Sequence, residues 1–341
     1  MTALYQAGSF GTGTITINLA GNDQDWNRSV TSYLSLPKVE KTETETVITL
    51  ELYLGSKSEL DSIIPLPGAD CLVREKTLLV DRPVLNSTYS RDNIRWVDYE
   101  GFGRFMLNYG ENRAVAGLLE DSGISQVYAD IALGYNPLLS LLAGHGYYSV
   151  HASCARVMGK GFLFTGYGGS GKSTSAYALL RGGHPILADD RILLRKEGIS
   201  EGADHYRAHS ISDVFKLQQE AVDKFFPEVK DIKPLHRVDD EYYYKAANLK
   251  GSPYLNCTDV DYLIIFEKTG KKETRLEKIN PSRVVGDLFP VTMSNYEAAA
   301  MEKKFSFLTG FLENVDCYKV YFGTDMDGFV GCVEELAQEK Y

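Results

Sequence analysis

The stretch HASCARVMGKGFLFTGYGGSGKSTSAYALLRGGHPILADDRILL, His151 to Leu194, concentrates residue types able to do phosphate chemistry. Gly166-Tyr167-Gly168-Gly169-Ser170-Gly171-Lys172-Ser173 fits the pattern G-x-x-x-x-G-K-[ST]. Phosphate oxygens are held by backbone N–H groups that converge from a curled loop, and side chains at the glycine positions would obstruct that curl. Gly166, Gly168, Gly169, Ser170 and Gly171 are therefore the predicted nucleotide cradle. Lys172 reaches the β- and γ-phosphates, and the Ser173 hydroxyl binds Mg²⁺. Ser173 and Thr174 open a helix whose positive N-terminal end adds to the site.

Downstream, PILADD reads as a strand ending in two carboxylates, Asp189 and Asp190. A Mg²⁺ ligand or a general base is needed at that place, beside the phosphate loop. Only 17 residues separate Lys172 from Asp189, enough for one helix and one strand. Upstream, His151 lies 15 residues before Gly166. A hairpin around Gly159-Lys160-Gly161 would bring it to the same end of the sheet as the loop. The bland alternatives are a hydrogen-bonded core histidine and two solvated aspartates in a turn before Arg191. Lys160 reads as a solvated charge. Arg191 reads equally as a phosphate or acceptor-carboxylate contact and as a structural residue.

The positioning elements are legible around the loop. GFLFT is a strand entering it, and STSAYALLRGG a helix with Ala176, Leu179 and Leu180 inward and Gly182-Gly183 as its stop. Before residue 110 the chain reads mostly as strands. VITLELYL alternates, with Ile48, Leu50, Leu52 and Leu54 on one face. CLVREKTLLVDRP looks like two short strands around a charged turn, and IRWVDYEGFGRFMLNYGENRAVAG like hairpin strands bent at Gly101, Gly103 and Gly110. Val127–Gly146 is apolar at helical spacing, with Pro137 starting a helical turn. The expected division is a β-rich domain over 1–125 and an α/β domain that carries the phosphate loop over 126–341. In the C-terminal third, DYLIIFEK and CYKVYFG read as strands. NPSRVVGDLF, with Asn280 as N-cap, YEAAAMEKKFSFLTGFLENV and FVGCVEELAQEK read as helices. Glu197–Cys257 is weakly patterned and reads as a functional loop or a solvated insertion.

Composition sets outer limits. The 341 residues are 44% apolar and 24% charged, ordinary for a soluble chain of two modest domains. No run approaches a membrane span, and MTALYQAGSF lacks signal-peptide order, so the expected location is cytoplasmic with no membrane partner. A net charge of −10 argues against non-specific nucleic-acid binding. The five cysteines are odd in number and without C-x-x-C spacing, which argues against a disulfide framework or a zinc site.

His151, the G-x-x-x-x-G-K-S loop, a short helix ending in Gly-His and then ADDR together resemble the HPr kinase/phosphorylase catalytic core. The resemblance implies an α/β fold, a P-loop core related to ATP-dependent phosphoenolpyruvate carboxykinase, here with a β-rich N-terminal region. The wider order, with LLSLLAGHGYYSVHAS before the loop, is similar to HPr-kinase-like proteins of peptide maturation, including lasso-peptide kinases. The activity implied is that of an ATP- and Mg²⁺-dependent kinase acting on a serine hydroxyl of a peptide or small protein, such as the C-terminal serine of a lasso-type precursor. Lys172 and the loop amides would hold the phosphates. Ser173 and one aspartate, Asp190 by preference, would hold Mg²⁺. The other, Asp189 by preference, would be the base, with the reverse assignment open, and His151 would hydrogen-bond the aspartate or the phosphoryl group. Such kinases often assemble as hexamers, so a homo-oligomer is among the expectations. Two departures weaken HPr as acceptor and phosphorolysis as activity: Thr174 stands where those enzymes carry glutamate, and no E-I-R-G-type stretch lies downstream of the aspartates. The competing readings are a non-catalytic nucleotide-binding regulatory protein and a kinase of free serine.

Overall fold

Alternation in TVITLELYLG buries Ile48, Leu50 and Leu52 while Val47 stays exposed, as a half-buried strand requires. In the computed structural model the described residues are 3–10, 15–34, 46–68, 71–79, 82–200, 203–249, 254–292 and 298–339. They form a mixed α/β chain of two compact units: Met1–Tyr147 with Asn295–Ala300, and Tyr148–Ser294 with Met301–Tyr341. No described helix is long and apolar enough to cross a membrane.

In the first unit, β1 (Ala3–Phe10), β2 (Ile15–Gly21), β3 (Thr46–Gly55), β4 (Cys71–Leu79), β5 (Arg82–Arg91), β6 (Ile94–Tyr99), β7 (Gly103–Asn108) and β8 (Arg113–Leu119) make one sheet, ordered β1-β2-β3-β8-β7-β6-β5-β4. The pairs β2–β3 and β3–β8 are parallel. Parallel neighbours need crossovers, which helices α1 (Gln24–Leu34) and α2 (Lys57–Ile63) help to supply. Where two strands around a charged turn were expected, Cys71–Leu79 is one strand that runs unbroken through Arg74-Glu75-Lys76. It lies at the edge of the sheet, where charge is tolerated because it discourages pairing with another chain.

The apolar stretch forms α3 (Gln126–Ala129), a π-helical turn (Asp130–Tyr135) and α4 (Asn136–Gly144). Pro137 sits in the first turn of α4, as expected, and a π-helical turn runs directly into it. Lacking an N–H, it cannot serve the carbonyl one turn back, and the wider turn precedes it. The run groups with the first compact unit, which extends to Tyr147.

Asp130 in the π turn is 1% exposed and accepts hydrogen bonds from Ser29 Oγ at 2.5 Å and Gln126 Nε2 at 2.8 Å. Burial nonetheless raises its pKa to about 6. A folded-state pKa raised in this way favours the fold at low pH, and that contribution is lost as pH rises through about 6. Asp130→Asn is therefore expected to raise the thermal midpoint at pH 7.5 by about 4 °C or more. The gain should shrink as the pH is lowered from 6 toward 4. Thermal unfolding at several pH values checks this, and a gain independent of pH would refute it.

The second unit is built on β9 (Tyr148–Val157), β10 (Lys160–Thr165), β11 (Ile186–Ala188), β12 (Arg191–Ser200), β13 (Ala203–His209), β17 (Cys257–Asp259), β18 (Tyr262–Lys268), β19 (Arg275–Lys278) and β20 (Asp316–Phe322). Their order is β17-β13-β12-β9-β10-β18-β20-β19, with β11 added onto β9. A separate small sheet has the order β14 (Val214–Gln218), β16 (Glu241–Lys245), β15 (His236–Val238). Helices α5 (Lys172–Arg181), α6 (Gln219–Phe225), α7 (Pro281–Thr292), α8 (Ala298–Glu313) and α9 (Met326–Gln338) accompany the strands, with short 3-10 turns at Pro227–Asp231 and Ala246–Asn248. Asn280 caps α7, its Oδ1 accepting from Ser282 N at 2.9 Å. The described residues of the segment read as weakly patterned carry strand and helix: β12 pairs with β13, and the three-stranded sheet comes after them.

One core cluster joins the two sheets of this unit. Ala176, Leu179 and Leu180 of α5 pack with Phe162 and Phe164 of β10, Phe215 and Leu217 of β14, and Phe226. Tyr177 is fully buried between the rings of Phe215 and Phe226, at 6.1 and 4.6 Å. That packing holds the small sheet against the helix that begins at Lys172.

Candidate active site

The loop after β10 curls as its glycines permit. Gly171 has φ +114°, and a Cβ there would lie 3.0 Å from the Phe322 ring. Gly168 is different: a Cβ would meet nothing within 4 Å, although the residue lines the cavity. The Lys172 ammonium donates to Gly166 O at 2.8 Å and Tyr167 O at 3.0 Å, which ties the lysine to the curl.

The hairpin upstream turns at Met158-Gly159, with φ +50° and +88° and Val157 opposite Lys160. Two residues of positive φ match a tight type I′ turn, so the reversal falls earlier than Gly159-Lys160-Gly161. Lys160 is not a merely solvated charge, since its Nζ lies 2.9 Å from Asp261 Oδ1. The register sets Ala152 opposite Thr165 and His151 opposite Arg191, which brings His151 to the loop end of the sheet.

After β11 the two aspartates diverge. Consecutive side chains on an extended strand point to opposite faces. Asp190 departs from that geometry with φ +73°, and its carbonyl accepts from Ala152 N at 3.2 Å. Its Oδ1 lies 3.3 Å from His151 Nδ1, and its side chain is 30% exposed. Asp189 is 4% exposed; its Oδ2 accepts from Lys216 N at 3.0 Å. Asp189 Oδ1 is buried without a hydrogen-bond partner, and Ser173 is the hydroxyl that acts on this carboxylate.

A cavity of about 290 Å³ collects most of the predicted residues. His151, Gly168, Gly169, Gly171, Lys172, Ser173, Thr174 and Asp190 line it. Gly166, Ser170 and Asp189 do not. Arg191 is also off the wall, its Nε 3.9 Å from Asp190 Oδ2. Four residues that sequence reasoning missed complete the lining: Lys216 and Gln218 from β14, Glu241 from β16 and Lys268 from β18. The available signal was the short apolar alternation in VFKLQ, which places Phe215 and Leu217 inward and Lys216 the other way.

Charge in the cavity is tightly balanced. Burial, with the charge of Asp190 added, raises Asp189 to about 6. Burial also works to raise Asp190, but His151, Lys216, Arg191 and Lys172 overcome it and hold that carboxyl well below the usual range. Burial lowers His151 to about 4, only partly opposed by Asp190, so the imidazole is neutral at pH 7. Lys172 is lowered by burial against the pull of both aspartates. At neutral pH the cavity thus offers an ionised carboxylate beside a neutral imidazole, faced by lysines.

No family model matches the chain. The sequence similarity found is to an HPr kinase/phosphorylase, 50% identical over 44 residues. That relative is the enzyme of Lactobacillus delbrueckii subsp. bulgaricus, and the match spans 13% of this chain and 14% of the relative's length. Among solved structures, the Hpr(Ser) kinase/phosphatase from Coxiella burnetii aligns with a TM-score of 0.30 and 14% identity, covering 55% of this chain and 94% of that one.

Proposed function

We propose that the chain is a kinase that transfers the γ-phosphoryl group of ATP to a hydroxyl, with a serine of a peptide or small protein as acceptor. The observation that carries the reading is the sharing of one cavity by the phosphate-loop glycines, Lys172, Asp190 and His151. The short stretch of identity to HPr kinase/phosphorylase supports it. The loop amides and Lys172 would bind the phosphates, which compete for the ammonium now shared with Gly166 and Tyr167.

The two aspartates take the reverse of the roles preferred from sequence. A base must meet the acceptor, and Asp190 reaches the cavity while Asp189 does not. Asp190 would take the hydroxyl proton, oriented by His151. Its low pKa keeps it ionised, and incoming phosphate charge opposes the cations that hold it low. A metal ligand needs a free oxygen beside the loop serine. The buried Asp189 carboxylate, whose Oδ1 lacks a hydrogen-bond partner and on which the Ser173 hydroxyl acts, fits Mg²⁺, a hard cation that takes oxygen ligands. Bound Mg²⁺ neutralises charge on the β- and γ-phosphates.

Mass spectrometry of acceptors after incubation with γ-labelled ATP tests the reading directly, with peptides and free serine in parallel. Label on neither, with nucleotide bound, would favour the regulatory reading. Asp189→Asn is expected to raise the Mg²⁺ concentration needed for half-maximal ATP binding on the order of tenfold, equivalent to ~1.4 kcal/mol. An unchanged Mg²⁺ requirement would return the metal to Asp190.

A further inference from the structure

Lys216, like Glu241 and Lys268, is a charged residue of the cavity for which the P-loop pattern has no role. It sits on β14, in a sheet separate from the one that carries the loop. Its backbone and side chain do different things. The N–H donates to Asp189 Oδ2 at 3.0 Å, which pins the strand to the aspartate pair. The ammonium lies 3.2 Å from Glu241 Oε1 on the neighbouring strand and lines the cavity with His151, Asp190 and Lys172. Its charge acts on both aspartates.

We infer that Lys216 is a second phosphate-contacting lysine, specific for the terminal phosphoryl group, which Glu241 holds in reserve. The inference rests on the reading that the loop binds a nucleoside triphosphate, and it adds what distinguishes the triphosphate from the diphosphate. Lys172 belongs to the loop and serves the phosphates cradled there. Lys216 comes from β14 and shares the cavity with Asp190 and His151, where the acceptor hydroxyl would meet the phosphoryl group. A cation placed there offsets charge on the group in transit and has less to bind once that group has left. Glu241 supplies the exchange. A lysine ammonium on a flexible stem can exchange a carboxylate partner for a phosphate. The two side chains of the salt bridge are 29% and 24% exposed, and a phosphate taking the place of Glu241 would keep the ammonium paired.

The test is calorimetric binding of ATP and of ADP, each with Mg²⁺, to the full chain and to Lys216→Met. Methionine keeps the stem and leaves the backbone N–H to Asp189 in place. ATP affinity is expected to fall roughly 10- to 100-fold, the range for losing one charge-assisted contact, with ADP affinity changed less than about threefold. Glu241→Gln frees the lysine and should tighten ATP but not ADP. Equal losses for the two nucleotides, or no loss for either, would overturn the inference while leaving nucleotide binding intact. If the wild-type chain binds neither nucleotide, the reading of the loop falls first and this inference with it.

Discussion

Asp190→Asn is expected to slow phosphoryl transfer by about 10²- to 10⁴-fold, the usual worth of a positioned general base. ATP should bind at least as well as before, because removing a negative charge beside the phosphates reduces repulsion. The two effects have opposite signs, which separates a base from a structural residue whose loss would weaken both. The substitution is mild for the fold: the contact of the Asp190 carbonyl with Ala152 N is backbone-borne and survives. Asparagine also tolerates the left-handed conformation at this position, φ +73°, better than most residues do. Single-turnover transfer and equilibrium binding, measured on the same preparation, decide the matter. Retention of wild-type transfer would remove Asp190 from the chemistry. The contrast with Asp189→Asn is informative, since that change should act through Mg²⁺ concentration, which Asp190→Asn should leave alone.

Much of this site was legible because it is local. From His151 to Asp190 the loop, helix and short strand come one after another, and the spacing alone sets them at one end of a sheet. What was not legible depends on distant pairing. Lys216 and Glu241 face each other only because β14 and β16 pair with Lys216 opposite Tyr243, across a segment with no clean period. In EYYYK, Tyr243 and Tyr244 are both buried, which breaks the alternation that would have announced a strand. The division of labour between the aspartates was hidden for another reason. Adjacent residues share every sequence signal, and only the left-handed backbone at Asp190 and the strand arriving from β14 tell them apart. The same limit applies to Pro137, whose neighbours absorb its missing N–H in a π turn that no local pattern marks.

The dependence of the site on β14 gives the second large effect. Phe215 is 1% exposed, and its ring packs edge-on against Tyr177 of α5 at 6.1 Å. Phe215→Ala removes a buried aromatic and leaves a cavity, a change that costs about 3–5 kcal/mol in packed cores. Domains are held by only about 5–15 kcal/mol, so the variant should lose a large share of its stability. The loss should also have a location. Phe215 adjoins Lys216, so loosening β14 takes away the N–H that Asp189 Oδ2 accepts and withdraws the ammonium from the cavity. Hydrogen exchange should therefore rise first in residues 214–218 and 241–245, while β10 and β18 stay protected. Phe215→Leu, which keeps most of the volume, should recover most of the midpoint and the protection. If Phe215→Ala melts like the wild type, the small sheet is not held by this contact. If exchange rises uniformly instead, β14 belongs to the same cooperative unit as the main sheet, and Lys216 is fixed in place by the whole core.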